Sequence, residues 1–484
     1  MPSHGVDLSV VVFGIALLGT FVVALLGRRD SKRVASATLS EQHLNRWLVG
    51  LSAGATANSG FVVTAAVGLG YTYGAQWLLL PLSWLLGDVL FWLVFPQRIN
   101  ATGRVIKATT MTDILVDGMK PRLQLGLRRT VSVLIIVCLG GYVSAQWLAG
   151  QKFLHGAFGF DGAISLLAFA ALIIIYTAIG GFRGSVYVDS MQAIIRVLGT
   201  MIAMVFVAIT ASSHRSLFWQ NINGAGPDFL HLFPHGRLLA AVPVIIGFAA
   251  AALGFGLGQP QMVTRYLAGA TPEETQSAWW IYNGFVQFTW ISMTVFGVAL
   301  RGVMPQIADP EMGLSLFFRS NTGALFTGII TADIFATIAA TSNSLLVAMA
   351  QTASRDLLGL VHGKRRFAGE LWPLTATIGA ATMILSLNLH STVVDLALSS
   401  VSLLGAGLAP AMLIRVLNWP RTDTSLIVTV LAGTCTAVLW RYFGLSGSMN
   451  EAAPGIAVAL LANFILTRFS DTSASRLAYD NQGN

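Results

Sequence analysis

Thirteen apolar segments of 17 or more residues follow one another along the chain, and this repetition constrains the fold more than any other feature. A helix of about 20 residues crosses the hydrocarbon core of a bilayer, so each segment is long enough to span it. Of the 484 residues, 55% are hydrophobic and only 10% are charged, and the mean hydropathy is +0.70, which excludes a soluble protein. We therefore predict an all-α polytopic membrane protein with about 13 transmembrane helices. The predicted spans are 8–27, 47–72, 76–97, 129–150, 160–180, 190–212, 236–257, 278–300, 323–350, 370–389, 394–417, 424–444 and 451–467.

Basic residues are divided unevenly among the loops. If the N-terminus lies outside, the inner loops contain 22 Lys and Arg residues and the outer loops six, with Arg196 left inside a span. Because positively charged loops stay in the cytoplasm, this distribution predicts a multi-pass protein of the cell membrane with its N-terminus outside and its C-terminus cytoplasmic. The formal charge of +8 then reflects topology, and we expect the lipid bilayer, not nucleic acid, as a partner.

Catalytic and metal-binding patterns are missing from the sequence. Cys138 and Cys435 both lie in apolar segments, the eight histidines lack metal-ligand spacing, and no phosphate-binding loop is found. Nucleophiles, bases and metal ligands do not cluster within the spans. We therefore expect no enzymatic activity and no cofactor, and any transport has to be driven by an ion gradient.

Two spans are interrupted by residues that weaken a helix. The second reads "LSAGATANSGFVVTAAVGLGYTYG", with Gly60 near its middle, and the seventh ends "AALGFGLGQPQMVTRYLAG", where three glycines precede Pro260. Broken helices are tolerated at membrane depth only where protein or a cavity covers the freed backbone groups. Because the two breaks are five spans apart, they predict an inverted repeat of five plus five helices with binding sites near the midplane.

This repeat predicts the division of the chain. A transporter core at 46–417 contains the two repeats, at about 46–212 and 236–417. An extra helix and the first cytoplasmic loop precede it at 1–45, and two further helices and a short tail follow it at 418–484.

Polar residues line one face of the ninth span. Asp333, Thr337 and Thr341 recur every four residues and therefore share a face. Oxygen atoms of this kind are the ligands that hard cations such as sodium prefer. The alternative is that the threonine hydroxyls only bond back to the preceding helical turn.

Five stretches carry a family resemblance: "RWLVGLSAGATANSGF", "YVSAQWLAGQKFLHGAFGF", "IGGFRGSVYVDSMQ", "LGQPQMVTRYLAG" and "IFATIAATSNSLLVAMAQTASRDL". Over roughly residues 40 to 420 the chain resembles the sodium/solute symporter family, and most of all its sodium/proline branch. The resemblance implies a thirteen-helix, leucine-transporter-like fold and secondary symport of a small organic solute with sodium, the only metal expected.

The resemblance also implies which residues bind sodium and control access. The implied sodium ligands are Ala55, Asn58, Thr337, Ala340 and Thr341. Two positions depart from the family pattern, because Ala340 replaces a serine and Ala57 replaces an aspartate of the proline branch. Asp189 matches an aspartate linked to sodium release and inner gating.

Asp333 has no counterpart in the family pattern. It either takes part in ion coupling, as a sodium ligand or a proton carrier, or it is a structural aspartate partnered by Arg196 or by an outer loop.

The solute site follows from the same resemblance. The implied lining residues are Ser59, Gly60, Phe61, Tyr142, Gln259 and Pro260. Helix ends exposed at the breaks favour an amino acid or a related zwitterion or carboxylate. Because Phe61 and Ala252 replace tryptophans of the proline branch, proline itself is a doubtful substrate.

Two other functions stay open. Proton-coupled transporters share the same fold, and the departures from the family pattern at Ala57 and Ala340 leave that alternative open. Transporter-like sensor modules also exist, but the chain ends soon after its last predicted span, which leaves no room for a kinase. The sequence gives no indication of oligomeric state.

Overall fold

The computed structural model describes residues 8–35, 44–233, 238–359, 371–388 and 392–480. Over these residues the protein is helical, and the only β-type pairing is a single bridge between Leu44 and Gly269. The helices are α1 (Leu8–Ala35), α2 (Arg46–Ala57), α3 (Ala66–Tyr73), α4 (Leu79–Val94), α5 (Pro96–Ile106), α6 (Met111–Val116), α7 (Pro121–Phe158), α8 (Gly162–Ser213), α9 (Arg215–Gly224), α10 (Leu238–Gly258), α11 (Pro260–Leu267), α12 (Pro272–Ser277), α13 (Trp279–Val303), α14 (Gly313–Asn321), α15 (Ala324–Thr352), α16 (Trp372–Leu387), α17 (Val393–Val416), α18 (Asp423–Tyr442) and α19 (Ala452–Asp480). Parts of the predicted terminal regions lie outside the described residues, namely 1–7, 36–43 and 481–484. The same holds for the ends of two predicted spans, at 236–237, 370 and 389.

Among the described residues, ten helical segments are long and apolar enough to cross a membrane. The predicted second and third spans merge in this count, because the chain stays helical from Phe61 to Val94. The predicted fifth and tenth spans are apolar but shorter than 18 residues, at Gly162–Ile175 and Trp372–Leu387. The all-helical polytopic architecture is therefore confirmed, whereas the count of thirteen is not.

The long helix α8 cannot be straight. The Phe169 ring packs against Phe335 with centroids 5.7 Å apart, and Arg196 pairs with Asp333 on the same turn of α15. A straight helix would place Phe169 about 40 Å from Arg196. α8 therefore bends sharply between these residues and supplies two segments to the bundle.

Helix contacts have the symmetry that two repeats of five would give. α3 packs on α13 and α10 packs on α4, so each broken segment contacts the second helix of the other half. Similarly, α15 packs on α8 and α7 packs on α17. The breaks in the two halves therefore face a shared interior, although the domain limits stay a prediction.

Reciprocal glycines allow α3 and α13 to touch. A Cβ atom on Gly70 would lie 2.3 Å from the Thr294 carbonyl oxygen, and one on Gly297 would lie 2.1 Å from the Val67 carbonyl oxygen. Backbone atoms cannot move aside as a flexible side chain can. Small residues at such crossings let membrane helices approach closely, so these two glycines hold the broken segment beside α13.

We expect Gly297→Ala to lower the free energy of unfolding by about 1–3 kcal/mol, because the added methyl group overpacks the crossing. Thermal unfolding of the purified protein measures this effect. Gly284→Ala in the same helix is the matched control, since a Cβ atom there meets nothing within 4 Å. Equal stability of the two variants would contradict the close crossing.

Candidate functional site

The site begins at the break between α2 and α3. α2 ends at Ala57, and Asn58 leaves the helical conformation with ψ of 65°. The Gly60 N–H donates to Gln146 Oε1 at 2.9 Å, which satisfies a backbone group that the break would leave unpaired. A Cβ atom on Gly60 would lie 2.7 Å from Ala149 Cβ, so only glycine fits against α7.

The Thr341 hydroxyl closes the other side of the break. It lies 3.0 Å from the Thr56 carbonyl oxygen and 3.5 Å from the Ala55 carbonyl oxygen, and Thr341 is fully buried. Three oxygen atoms from α2 and α15 thus meet inside the bundle. Such oxygens suit a hard monovalent cation.

The other implied sodium ligands are placed less closely. The Thr337 hydroxyl donates to the Asp333 carbonyl oxygen at 2.9 Å, which is the back-bonding alternative. Asn58 contacts the Thr289 hydroxyl through Nδ2, while its buried Oδ1 has no partner among the described residues. Ala340 is buried and adds no side-chain oxygen. The structure therefore brings Ala55 and Thr341 together, and the full ligand set stays a prediction.

A cavity of about 440 Å³ lies beside the break. Its wall is aromatic, since the rings of Phe61 and Trp84 each pack edge to face against Trp290 with centroids 5.6 and 5.4 Å apart. Ser59 and Tyr142 contribute hydroxyl groups to the lining. The lining residues are Ala57, Ser59, Phe61, Val62, Trp84, Tyr142, Phe255, Val286, Trp290, Ala397, Leu398 and Val401. A mostly apolar, aromatic lining with a few hydroxyl groups is typical of small-molecule sites.

Three of the six implied solute residues line this cavity, namely Ser59, Phe61 and Tyr142. Gly60 instead bonds to Gln146, and the fully buried Gln259 donates to the carbonyl oxygen of Val401, a lining residue, at 3.3 Å. Pro260 begins α11 and does not line the cavity.

Sequence reasoning missed the lining tryptophans. Trp84 and Trp290 lie within apolar segments, where most aromatic residues serve packing, so their type alone did not single them out. Trp290 lies one helical turn after Val286 on α13, so both line the cavity from one face, but this spacing alone does not distinguish either from a packing residue.

A buried ion pair closes one side of the site. Asp189 Oδ2 accepts from Arg265 Nη2 at 2.7 Å and from the Ser52 hydroxyl at 2.9 Å. The guanidinium group also donates to the Ser344 hydroxyl at 2.6 Å and to the Gln261 carbonyl oxygen at 2.5 Å. This network joins α2, α8, α11 and α15, the elements that meet at the two breaks. Sequence reasoning singled out Asp189 but missed Arg265, the only charged residue of α11.

A second buried ion pair involves Asp333. Its Oδ2 accepts from Arg196 Nη1 at 2.5 Å, and both side chains are at most 2% exposed. Gly199 makes room for the carboxylate, since a Cβ atom there would lie 2.3 Å from Asp333 Oδ2. Of the alternatives left open by the sequence, the structure therefore favours an Asp333 partnered by Arg196.

Comparison with known proteins identifies the family. A family model matches residues 38–427, which is most of the chain. The chain belongs to the sodium:solute symporter family. It is accordingly a multi-pass membrane transporter and not an enzyme, as the resemblance had indicated.

Curated relatives of this symporter are similar along nearly their whole length. The osmoregulated proline transporter OpuE of Bacillus subtilis is 24% identical over 482 residues, covering 96% of this chain and 95% of its own. The high-affinity proline transporter PutP of the same organism is 25% identical, covering 92% and 95%.

Solved structures show the fold of this family member. A Na⁺-coupled sialic acid symporter in a substrate-bound outward-open state aligns with a TM-score of 0.77 at 18% identity, covering 96% of this chain and 98% of that one. MhsT in complex with L-phenylalanine aligns with a TM-score of 0.55 at 15% identity, covering 88% and 100%. The leucine-transporter-like fold is thus confirmed.

We expect Asp333→Asn to lower the free energy of unfolding by about 3–5 kcal/mol, because it leaves the buried Arg196 charge without a partner. The double variant Arg196→Met/Asp333→Leu should recover most of this loss, since it removes both charges. Thermal unfolding measures both effects. If Asp333→Asn is instead as stable as the wild type but changes sodium dependence or loses a response to a proton gradient, the ion-coupling alternative for Asp333 holds.

Proposed function

We propose that the protein imports a small zwitterionic solute of the amino-acid class together with sodium. The contact of the Thr341 hydroxyl with the Ala55 and Thr56 carbonyl oxygens carries this proposal. These buried oxygens directly precede Ala57, where the chain begins to line the cavity. In this proposal the protein lies in the cell membrane with its N-terminus outside the cell and its C-terminus in the cytoplasm. Sodium is a co-substrate, and no cofactor takes part.

The chemistry of the cavity supports a zwitterion. None of its described lining residues carries a charged side chain, so a solute with a net charge would be desolvated there without compensation. Hydroxyl groups of Ser59 and Tyr142 provide hydrogen bonds, and the aromatic wall covers an apolar body. The proline transport named for OpuE and PutP agrees with this class. Trp84 and Trp290 supply aromatic surface although Phe61 and Ala252 replace tryptophans of the proline branch.

The Asp189–Arg265 pair serves as an inner gate in this proposal. It joins both broken helices to α8 and α15, so opening on that side has to separate the pair. A smaller cavity of about 210 Å³ borders Arg265 and Ser344, which places space beside the gate.

Proton coupling is the second candidate. It is favoured by Ala57 and Ala340, because neither provides the side-chain oxygen that the family pattern has at its position. Uptake of labelled L-proline and of a panel of other amino acids into proteoliposomes, with sodium and proton gradients imposed separately, distinguishes the two candidates. If no zwitterion is taken up under either gradient, the proposed function is rejected.

We expect Thr341→Ala to raise the sodium concentration for half-maximal uptake roughly 5- to 150-fold, because a buried coordinating or hydrogen-bonding group contributes about 1–3 kcal/mol. Ser342→Ala is the matched control, since the Ser342 hydroxyl is equally buried but donates to the Ile338 carbonyl oxygen within its own helix. Identical sodium dependence of the two well-folded variants would place sodium elsewhere.

We expect Phe61→Ala to weaken solute affinity roughly 10- to 150-fold, because a buried aromatic side chain contributes about 1.5–3 kcal/mol of apolar contact. Half-maximal solute concentration and sodium dependence are measured on the same variant. Sodium affinity without solute should change much less. A parallel loss of both affinities, following the loss of folded protein, would return Phe61 to a packing role.

A further inference from the structure

Asp88 is a buried acid that the proposed sodium and solute sites do not use. It lies in α4 and is 1% exposed. The preceding Gly87 presses α4 directly against α10, since a Cβ atom there would lie 2.1 Å from the Ala249 carbonyl oxygen. The side chain of Tyr282 on α13 lies beside the Asp88 carboxyl group, whose Oδ2 atom has no partner among the described residues.

Aromatic side chains with polar atoms surround this carboxyl group. The Trp92 ring lies 5.4 Å from that of Tyr266 and 5.1 Å from that of Tyr282, measured between centroids. All three rings are at most 1% exposed. In the described part of the chain the Tyr266 hydroxyl and Trp92 Nε1 have no hydrogen-bond partner, as Asp88 Oδ2 has none. Several unpaired polar atoms thus occupy one buried cluster.

No cation in the described part of the chain is paired with Asp88. α10 and the turn Gly74–Leu78, which both pack on α4, contain no titratable residue. α5 carries Arg98, which is exposed, and Arg104, which bonds to the Gly269 carbonyl oxygen.

α11 contributes Tyr266 and Arg265, but the Arg265 guanidinium is paired with Asp189. α13 contributes Tyr282. Among the described residues Asp88 therefore has hydrogen-bonding neighbours but no ion pair.

A carboxylate in such a position would be very unfavourable. Removing an ionised carboxyl group from water without a counter-ion costs so much that the group binds a proton instead. One tyrosine hydroxyl does not replace the hydration shell of the charge. Asp88 thus has the surroundings of a protonated carboxyl group.

The cluster lies directly beside the solute cavity. Trp84, which lines the cavity, precedes Asp88 by four residues on α4, and Val286, which also lines it, follows Tyr282 by four residues on α13. Four residues correspond to one helical turn and about 6 Å. Any movement of Trp84 or Val286 on solute binding would therefore reach the surroundings of Asp88.

We propose that Asp88 is a proton-binding site that exchanges its proton with solvent during each transport cycle. A solvent hydronium ion gives its proton to a carboxylate oxygen, so one of its O–H bonds breaks as the carboxyl O–H bond forms, and release of the proton to a solvent water molecule reverses this step. Only the link to the cycle rests on the proposed transport function. Proton binding itself can be measured without any solute.

Infrared titration of the purified full-length protein tests proton binding. A protonated-carboxyl band should disappear between mildly acidic and mildly alkaline pH, and Asp88→Asn should lack this band. Asp228→Asn, which alters an exposed loop acid, should keep it. Absence of the band from the wild type, or its persistence in Asp88→Asn, would overturn the proposal.

Uptake measurements test the exchange. At saturating sodium, wild-type uptake of labelled L-proline should depend on pH, and Asp88→Asn should lose that dependence while retaining sodium dependence. Should Asp88→Asn fail to fold, Tyr282→Phe replaces it, because loss of the hydroxyl group beside the carboxyl group should shift the pH at which the band disappears. The proposal would be overturned if Tyr282→Phe left the band unaffected. It would also be overturned if the band did not titrate and uptake was independent of pH. If no amino acid is transported, the infrared result alone decides on proton binding.

Discussion

Backbone groups at a helix break inside a bilayer have no water to bond, and the rest of the structure depends on how the protein satisfies them. At the first break, Gln146 of α7 accepts from the Gly60 N–H and Thr341 of α15 donates to the Thr56 carbonyl oxygen. The break is therefore held between α7, from its own predicted repeat, and α15, from the other. The carbonyl oxygens that face Thr341 are also the groups that a bound cation would use. The same arrangement of α2 and α15 therefore covers the break and forms the proposed cation site.

Two buried ion pairs lie along the contact between α8 and α15. Arg196 and Asp333 form one, while Ser344 of α15 joins the pair of Asp189 with Arg265. Eight residues of α15 separate Asp333 from Thr341, which corresponds to about 12 Å. A cation beside Thr341 thus lies between two ion pairs in a membrane protein whose remaining interior is mostly apolar. Each pair is costly to separate once buried, so movement of α8 past α15 has to be compensated by bound ions or by water.

The sequence predicted the helical bundle, both breaks and much of the cavity, because apolar length, glycine content and motif spacing are local properties. Ser59, Phe61 and Tyr142 were assigned to the solute site and do line one cavity. The count of thirteen is not confirmed where helices merge or shorten, since hydropathy does not show whether two apolar segments join. Arg265 and Trp290 were missed because their roles come from tertiary contacts that no local pattern encodes.

The placement of the cation and solute groups on one short segment gives a physical basis for coupling. Ala55 contacts Thr341, and Phe61, six residues later, lines the cavity. Between them, Asn58 contacts Thr289, whose neighbour Trp290 packs against Phe61. Occupation of either site therefore restricts the same stretch of backbone. Coupling between two binding sites is reciprocal. If a bound cation orders this stretch and raises the affinity for the solute by some factor, the bound solute raises the affinity for the cation by the same factor.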